Sequence, residues 1–140
     1  MIDKFSPLVI KGKVCSYCYN KSELVDSAVI YGNDAPFYGM MYYCRRCNAW
    51  VGTHLNSEKA LGRLADRELR GYKKEAHKYF DNLWRRKMHN SKCTKSHART
   101  RAYAWLGKKL GLPKKHTHIG MFDVNLCKKV IELCKGYYFY

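Results

Sequence analysis

Across its 140 residues the sequence has no apolar run near the roughly 18 residues that a membrane-spanning helix requires. Its first eight residues include Asp3, Lys4 and Pro7 and hold no apolar signal core, so a soluble, cytoplasmic protein without a membrane partner is expected. Acidic residues are scarce, at 11 Asp and Glu against 27 Lys and Arg, which leaves a formal net charge of +16. That imbalance works against basic partners and favours polyanions. Only three prolines occur, so few positions are barred from helix. No H-E-x-x-H stretch or similar fixed catalytic spacing is found.

What is present excludes a disordered chain. Hydrophobic residues make up 46% and aromatics 14%, enough to build a core despite the charge. The charge is unevenly placed. Residues 1–60 carry seven Lys/Arg against five Asp/Glu, a net of +2, whereas residues 61–140 carry twenty against six, a net of +14. The second half is therefore the one that would meet a polyanion.

Seven cysteines are present, and four of them form two C-x-x-C pairs, Cys15/Cys18 and Cys44/Cys47, with twenty-five residues between the pairs. In a chain with no export signal such thiols stay reduced and act as metal ligands. Each pair makes a tight turn that aims two sulfurs at one point. Two turns complete a tetrahedral thiolate shell, which suits one structural Zn²⁺ and leaves no open position for catalysis. A tetrathiolate site adds four negative and two positive charges, so the zinc-loaded chain would carry about +14. Zinc knuckles often place Gly after the second cysteine; here Tyr19 and Asn48 stand there, and Asn tolerates a left-handed backbone. Cys127 and Cys134 lie seven apart on the apolar side of a predicted helix and read as buried thiols. Cys93 lies in a polar stretch with no assigned role.

The segment between the pairs reads as strand Leu24–Tyr31, a turn at 33–36 and strand Tyr38–Tyr43, with a third strand over Ala49–His54. A hairpin between two knuckles is zinc-ribbon architecture. The ribbon is aromatic: Tyr17, Tyr19, Tyr31, Tyr38, Tyr42, Tyr43 and Trp50 serve either as its core or as stacking surfaces for bases.

Beyond residue 60 the pattern turns helical. Leu61, Ala65, Leu69, Tyr72, Ala76, Tyr79, Phe80 and Leu83 follow at helical spacing toward Arg86, the firm helix beginning near Ala65. On the opposite side Arg63, Arg67, Arg70, Lys74 and Lys78 step by four, three, four and four, with Arg85 on the same line. A row of cations suits a phosphate backbone, because each phosphate neutralised releases counterions. It also suits a plain solvated face. Residues 87–95 read as a connector. A second helix, capped by Thr94 or Ser96, runs to Leu110 and stops at Gly111 and Pro113. A third, capped by Asp123, runs through Cys134 to Gly136, and an aromatic tail, 137–140, follows. His54, His77, His116 and His118 would be the ligands if a second, catalytic metal existed.

CSYC, SAVIYG, YGMMYYCRRCNAWVGTH, LGRLADRELR, AHKYFDNLW and HIGMFDVNLCKKVIELC together resemble a family of phage and prophage proteins described as zinc-finger-containing domains of unknown function. The likeness runs from Cys15 to Cys134. It implies a zinc ribbon joined to helices, and carriage by bacteriophage or bacterial mobile elements.

The expected fold is α+β, a zinc ribbon over 1–60 packed on a three-helix unit over 61–140. The expected function is non-enzymatic binding of nucleic acid, DNA or RNA, with weak sequence preference and strong salt dependence. Arg63, Arg67, Arg70, Lys74 and Lys78 would make the contacts, joined by Arg45 and Arg46 between the second pair of cysteines. The alternatives are a module that binds or inhibits a host nucleic-acid enzyme or defence complex, and a metal-dependent nuclease.

Overall fold

The structure is a computed structural model that describes residues 5–137. The aromatic residues 138–140 of the tail lie outside the described residues. In chain order the elements are α1 (Pro7–Ile10), β1 (Glu23–Asp26), α2 (Ala28–Tyr31), β2 (Met40–Cys44), β3 (Ala49–Gly52), α3 (Arg67–Ser91), α4 (Lys95–Leu110) and α5 (Val124–Tyr137), with 3₁₀ turns at Lys114–His116 and Ile119–Met121. The fold is α+β. It divides into two compact units, the first ending at Glu68 and the second beginning at Leu69.

The first unit is built on a three-stranded antiparallel sheet in the order β1-β2-β3. Leu24 pairs with Tyr42 and Tyr42 with Val51, so these three share one face. Leu24, Tyr42, Cys44, Ala49 and Val51 pack there with Cys15 and Leu64. The core is small and two of its buried members are candidate metal ligands. Tyr42 also satisfies its hydroxyl, donating to the Glu58 carbonyl at 2.7 Å and accepting from Lys13 Nζ at 2.9 Å.

Two sequence expectations change in this unit. The run from Leu24 to Tyr31 is not one strand. The strand stops at Asp26, whose Oδ1 accepts from the Ala28 N–H at 2.8 Å, and the chain turns there into α2. The helical period runs from Leu61, but the firm helix, expected near Ala65, begins at Arg67, and the stretch before it is extended. Leu61 N–H donates to the Gly52 carbonyl, and Trp50 and Ala65 exchange both backbone hydrogen bonds, so residues 61–65 run along the free edge of β3. Spacing alone could not tell a helix face from an extended segment that drops Leu64 into the ribbon core.

In the second unit α3 is longer than expected. The stretch 87–91 remains helical because nothing in it breaks a helix, and the chain turns only at Lys92, which is left-handed at φ 51°. Thr94 caps α4, its Oγ1 accepting from the His97 N–H at 3.2 Å, and Gly111 ends it at φ 69°. Asp123 caps α5 through Leu126 N–H at 2.9 Å. That helix reaches Tyr137, one residue past Gly136. Buried in this unit are Ala76, Phe80 and Trp84 from α3, Ala98 and Leu106 from α4, Leu126, Cys127, Val130, Ile131 and Cys134 from α5, and Ile119 and Phe122 between helices. The Phe80 and Tyr103 rings meet at 4.4 Å, joining α3 to α4.

Candidate metal centre and basic surface

Two turns bring the four cysteines together. The first is closed by Cys15 N–H to the Asn20 carbonyl at 2.8 Å and Tyr19 N–H to the Cys15 carbonyl at 2.9 Å. The second is the loop between β2 and β3, where Cys44 pairs with Ala49. All four sulfurs lie within 4.8 Å of one another, and Cys18 and Cys44 Sγ are 3.8 Å apart. Zinc–sulfur bonds of about 2.3 Å in a tetrahedron separate the sulfurs by about 3.8 Å. The cluster therefore fits a single structural zinc ion, and its members are the residues that the spacing singled out.

The protein also supplies donors to the sulfurs. Tyr17 N–H reaches Cys15 Sγ and the Asn20 side-chain amide reaches Cys18 Sγ, each at 3.4 Å. Hydrogen bonding, led by the Asn20 backbone N–H, brings the Cys18 thiol down to about 7. Desolvation pushes Cys47 up to about 12 and raises Cys15 as well. Bound zinc supplies the charge that keeps such thiolates ionised.

Both knuckles place the residue after their second cysteine in the left-handed region, Tyr19 at φ 62° and Asn48 at φ 50°. Two neighbouring side chains escaped the sequence reading as structural parts of the site. Ser16 Oγ donates to the Leu64 carbonyl at 2.8 Å, and the Tyr17 hydroxyl accepts from Asp66 N–H at 3.1 Å. They tie the first knuckle to the segment that runs along β3. No sequence signal marks them, since their partners are backbone atoms about fifty residues away.

The basic residues are distributed as follows. Arg67, Lys74, Lys78 and Arg85 are exposed along one line of α3, with Arg70 half-buried beside them. The other side of this helix is the buried row Leu69, Ala76, Phe80 and Trp84. Arg63 does not belong to the line. It precedes the helix in the segment along β3 and is only 4% exposed. Arg45 and Arg46 are exposed in the second knuckle, in the ribbon unit. Arg45 is engaged locally, with Nε 3.4 Å from Glu23 and its guanidinium over Tyr43. Among the described residues, the cysteine set is the one group of three or more His, Cys, Asp or Glu side chains close enough to share a metal. His77 Nδ1 lies 2.9 Å from the Lys73 carbonyl one turn back on its own helix.

A three-stranded sheet with two cysteine knuckles, followed by helices, defines a zinc-ribbon protein. The chain matches the family of zinc-finger-containing domains over residues 11–137 and belongs to it. Neither the curated proteins nor the solved structures contain a match to it. No helix among the described residues is long and apolar enough to cross a membrane.

Proposed function

We propose that the protein binds nucleic acid through α3, without catalysing a reaction on it. The observation that supports this is the exposed line Arg67, Lys74, Lys78 and Arg85 on a helix whose opposite side is buried. At about 1.5 Å per residue, this line extends for about 27 Å, long enough to run beside several phosphates of one strand at about 3.4 Å of helix axis per charge. The burial of Leu69, Ala76, Phe80 and Trp84 fixes the helix's rotation, so the cations are held outward together. The contacts are to phosphate, and sequence preference is weak. The zinc ribbon is structural in this reading.

The test is binding of zinc-loaded protein to labelled single- and double-stranded DNA and RNA across a salt series. Affinity should fall steeply with salt. Arg67→Glu with Lys74→Glu should weaken it about 100-fold at low salt and flatten the slope by about two charges, with the fold intact by circular dichroism. Equal affinity in the double variant would reduce the line to a solvated face.

A further inference from the structure

The helical unit carries a second basic feature. A cavity of about 670 Å³ opens between α4 and the loop that follows it. That volume falls in the ordinary range for small-molecule sites. Arg99, Lys108, Lys114 and His118 line it, and no carboxylate among the described residues does. None of the α3 cations reaches it.

The walls are built by the turn that ends α4. Gly111 reverses the chain in a left-handed conformation, and Leu112 N–H returns to the Gly107 carbonyl at 2.9 Å. Thr117, almost fully buried, donates to the Pro113 carbonyl at 2.7 Å and fixes the far side of the loop. Gly107 allows this close approach, since a Cβ there would stand 3.0 Å from Thr117 Oγ1 and 3.2 Å from the Leu112 carbonyl. The cavity thus has a fixed floor. Along one wall the Tyr103 ring lies 5.3 Å from the His118 ring, with the Arg99 guanidinium 5.5 Å from the Tyr103 centroid. Ala104 and Leu112 add apolar surface.

A planar guanidinium, two ammonium groups and an aromatic wall in one cleft match an anion attached to a flat, partly apolar body. The lysines supply point charges to phosphate oxygens, and Arg adds a planar cation beside the aromatic wall. Aromatic and guanidinium planes accept a stacked base of any identity. We propose that this cavity is a binding site for a nucleoside monophosphate, either free or as the 5′-phosphorylated end of a strand. Lys108 and Lys114, toward the end of α4 and its loop, hold the phosphate, and the base lies beside Arg99, Tyr103 and His118. The proposal does not depend on the α3 line.

Calorimetric titration of the full zinc-loaded chain with adenosine, guanosine, cytidine and uridine 5′-monophosphates tests it. Dissociation constants of about 10–100 µM are expected, with inorganic phosphate and adenosine each at least about tenfold weaker. Arg99→Ala with Lys108→Ala, both exposed positions, should weaken the nucleotide at least about tenfold, whereas Lys87→Ala with Lys129→Ala, equally exposed but outside the cavity, should leave it unchanged. Arg99→Lys keeps the charge but not the planar guanidinium beside the base, and an intermediate loss is expected. Competition by a tetranucleotide with a 5′-phosphate, but not by its unphosphorylated form, would assign the site to strand ends, and tighter binding of the free nucleotide would assign it to the small molecule. Absence of heat and of any melting shift with nucleotide at about 1 mM would overturn the proposal, as would equal binding by the Arg99/Lys108 double variant.

Discussion

The two units of this chain are held together by different means. Residues 1–68 carry nine Lys/Arg and seven Asp/Glu, a net of +2, and surround a core of a few residues in which Cys15 and Cys44 are themselves buried members. Residues 69–140 carry eighteen and four, a net of +14, and bury Phe80, Leu106, Ile119, Phe122 and Val130 completely. A sheet as small as the first cannot bury enough apolar surface to stand alone, so the metal closes the deficit. The helical unit has a sufficient core and spreads its charge outside it. One unit therefore depends on zinc, and the other tolerates a charge that would repel itself apart were its interior less apolar.

Removing the metal should separate the two most sharply. A structural zinc site contributes about 10–16 kcal/mol at neutral pH, more than a whole small domain's net stability. Chelation, or Cys44→Ser, should collapse the amide spectrum of residues 13–66 while the helical signal of α3, α4 and α5 persists. If both regions lose structure together, the units are not energetically distinct. The converse experiment is Phe80→Ala, at a fully buried ring that packs on half-buried Tyr103. It should cost the helical unit about 3–5 kcal/mol and leave zinc stoichiometry and affinity as they were.

Acidity should act on the ribbon first. With Cys47 up to about 12 and Cys15 also raised, both by burial, the zinc-free site holds at least those two protons at neutral pH. Zinc must displace them, so apparent affinity rises with pH and falls on acidification by at least about 100-fold per unit. Below about 7 Cys18 takes up a third proton and the dependence steepens. A zinc-free ribbon that is unfolded would hold more protons still, so a slope well under 100-fold per unit contradicts either case.

The same division shows in how far the sequence could be read. Cysteine spacing exposed the metal site because four ligands and a tetrahedron leave little freedom, and Thr94, Gly111 and Asp123 marked helix ends because caps are local chemistry. The segment 61–66 misled because its partners are distant in sequence. Leu61, Ala65 and Leu69 fit a helical period, but edge pairing with β3 and the burial of Leu64 override it, and Arg63 leaves the cationic line with them. In α2, Asp26 supplied a turn that a β-branched run concealed. Nothing in the order of residues announced the cavity beside α4, which exists only once Gly111 folds the loop back.

The smallest effect compares the two knuckles with each other. Tyr19 and Asn48 occupy equivalent left-handed positions, but only Asn can bond its own backbone there and so reduce the steric cost. For Tyr that cost is about 1–2 kcal/mol, partly offset in a Gly variant by the greater entropy of the unfolded chain, about 0.5–1 kcal/mol. Tyr19 is half exposed, so little packing is lost with its ring. Tyr19→Gly should therefore stabilise the zinc-bound ribbon by about 0.5 kcal/mol, read as a zinc affinity about twofold higher in a chelator competition. Asn48→Gly should change it by less than that. A loss of affinity in Tyr19→Gly would mean that the Tyr19 ring shields the Cys18 sulfur from water, and the first knuckle would then owe its stability to a contact rather than to its backbone.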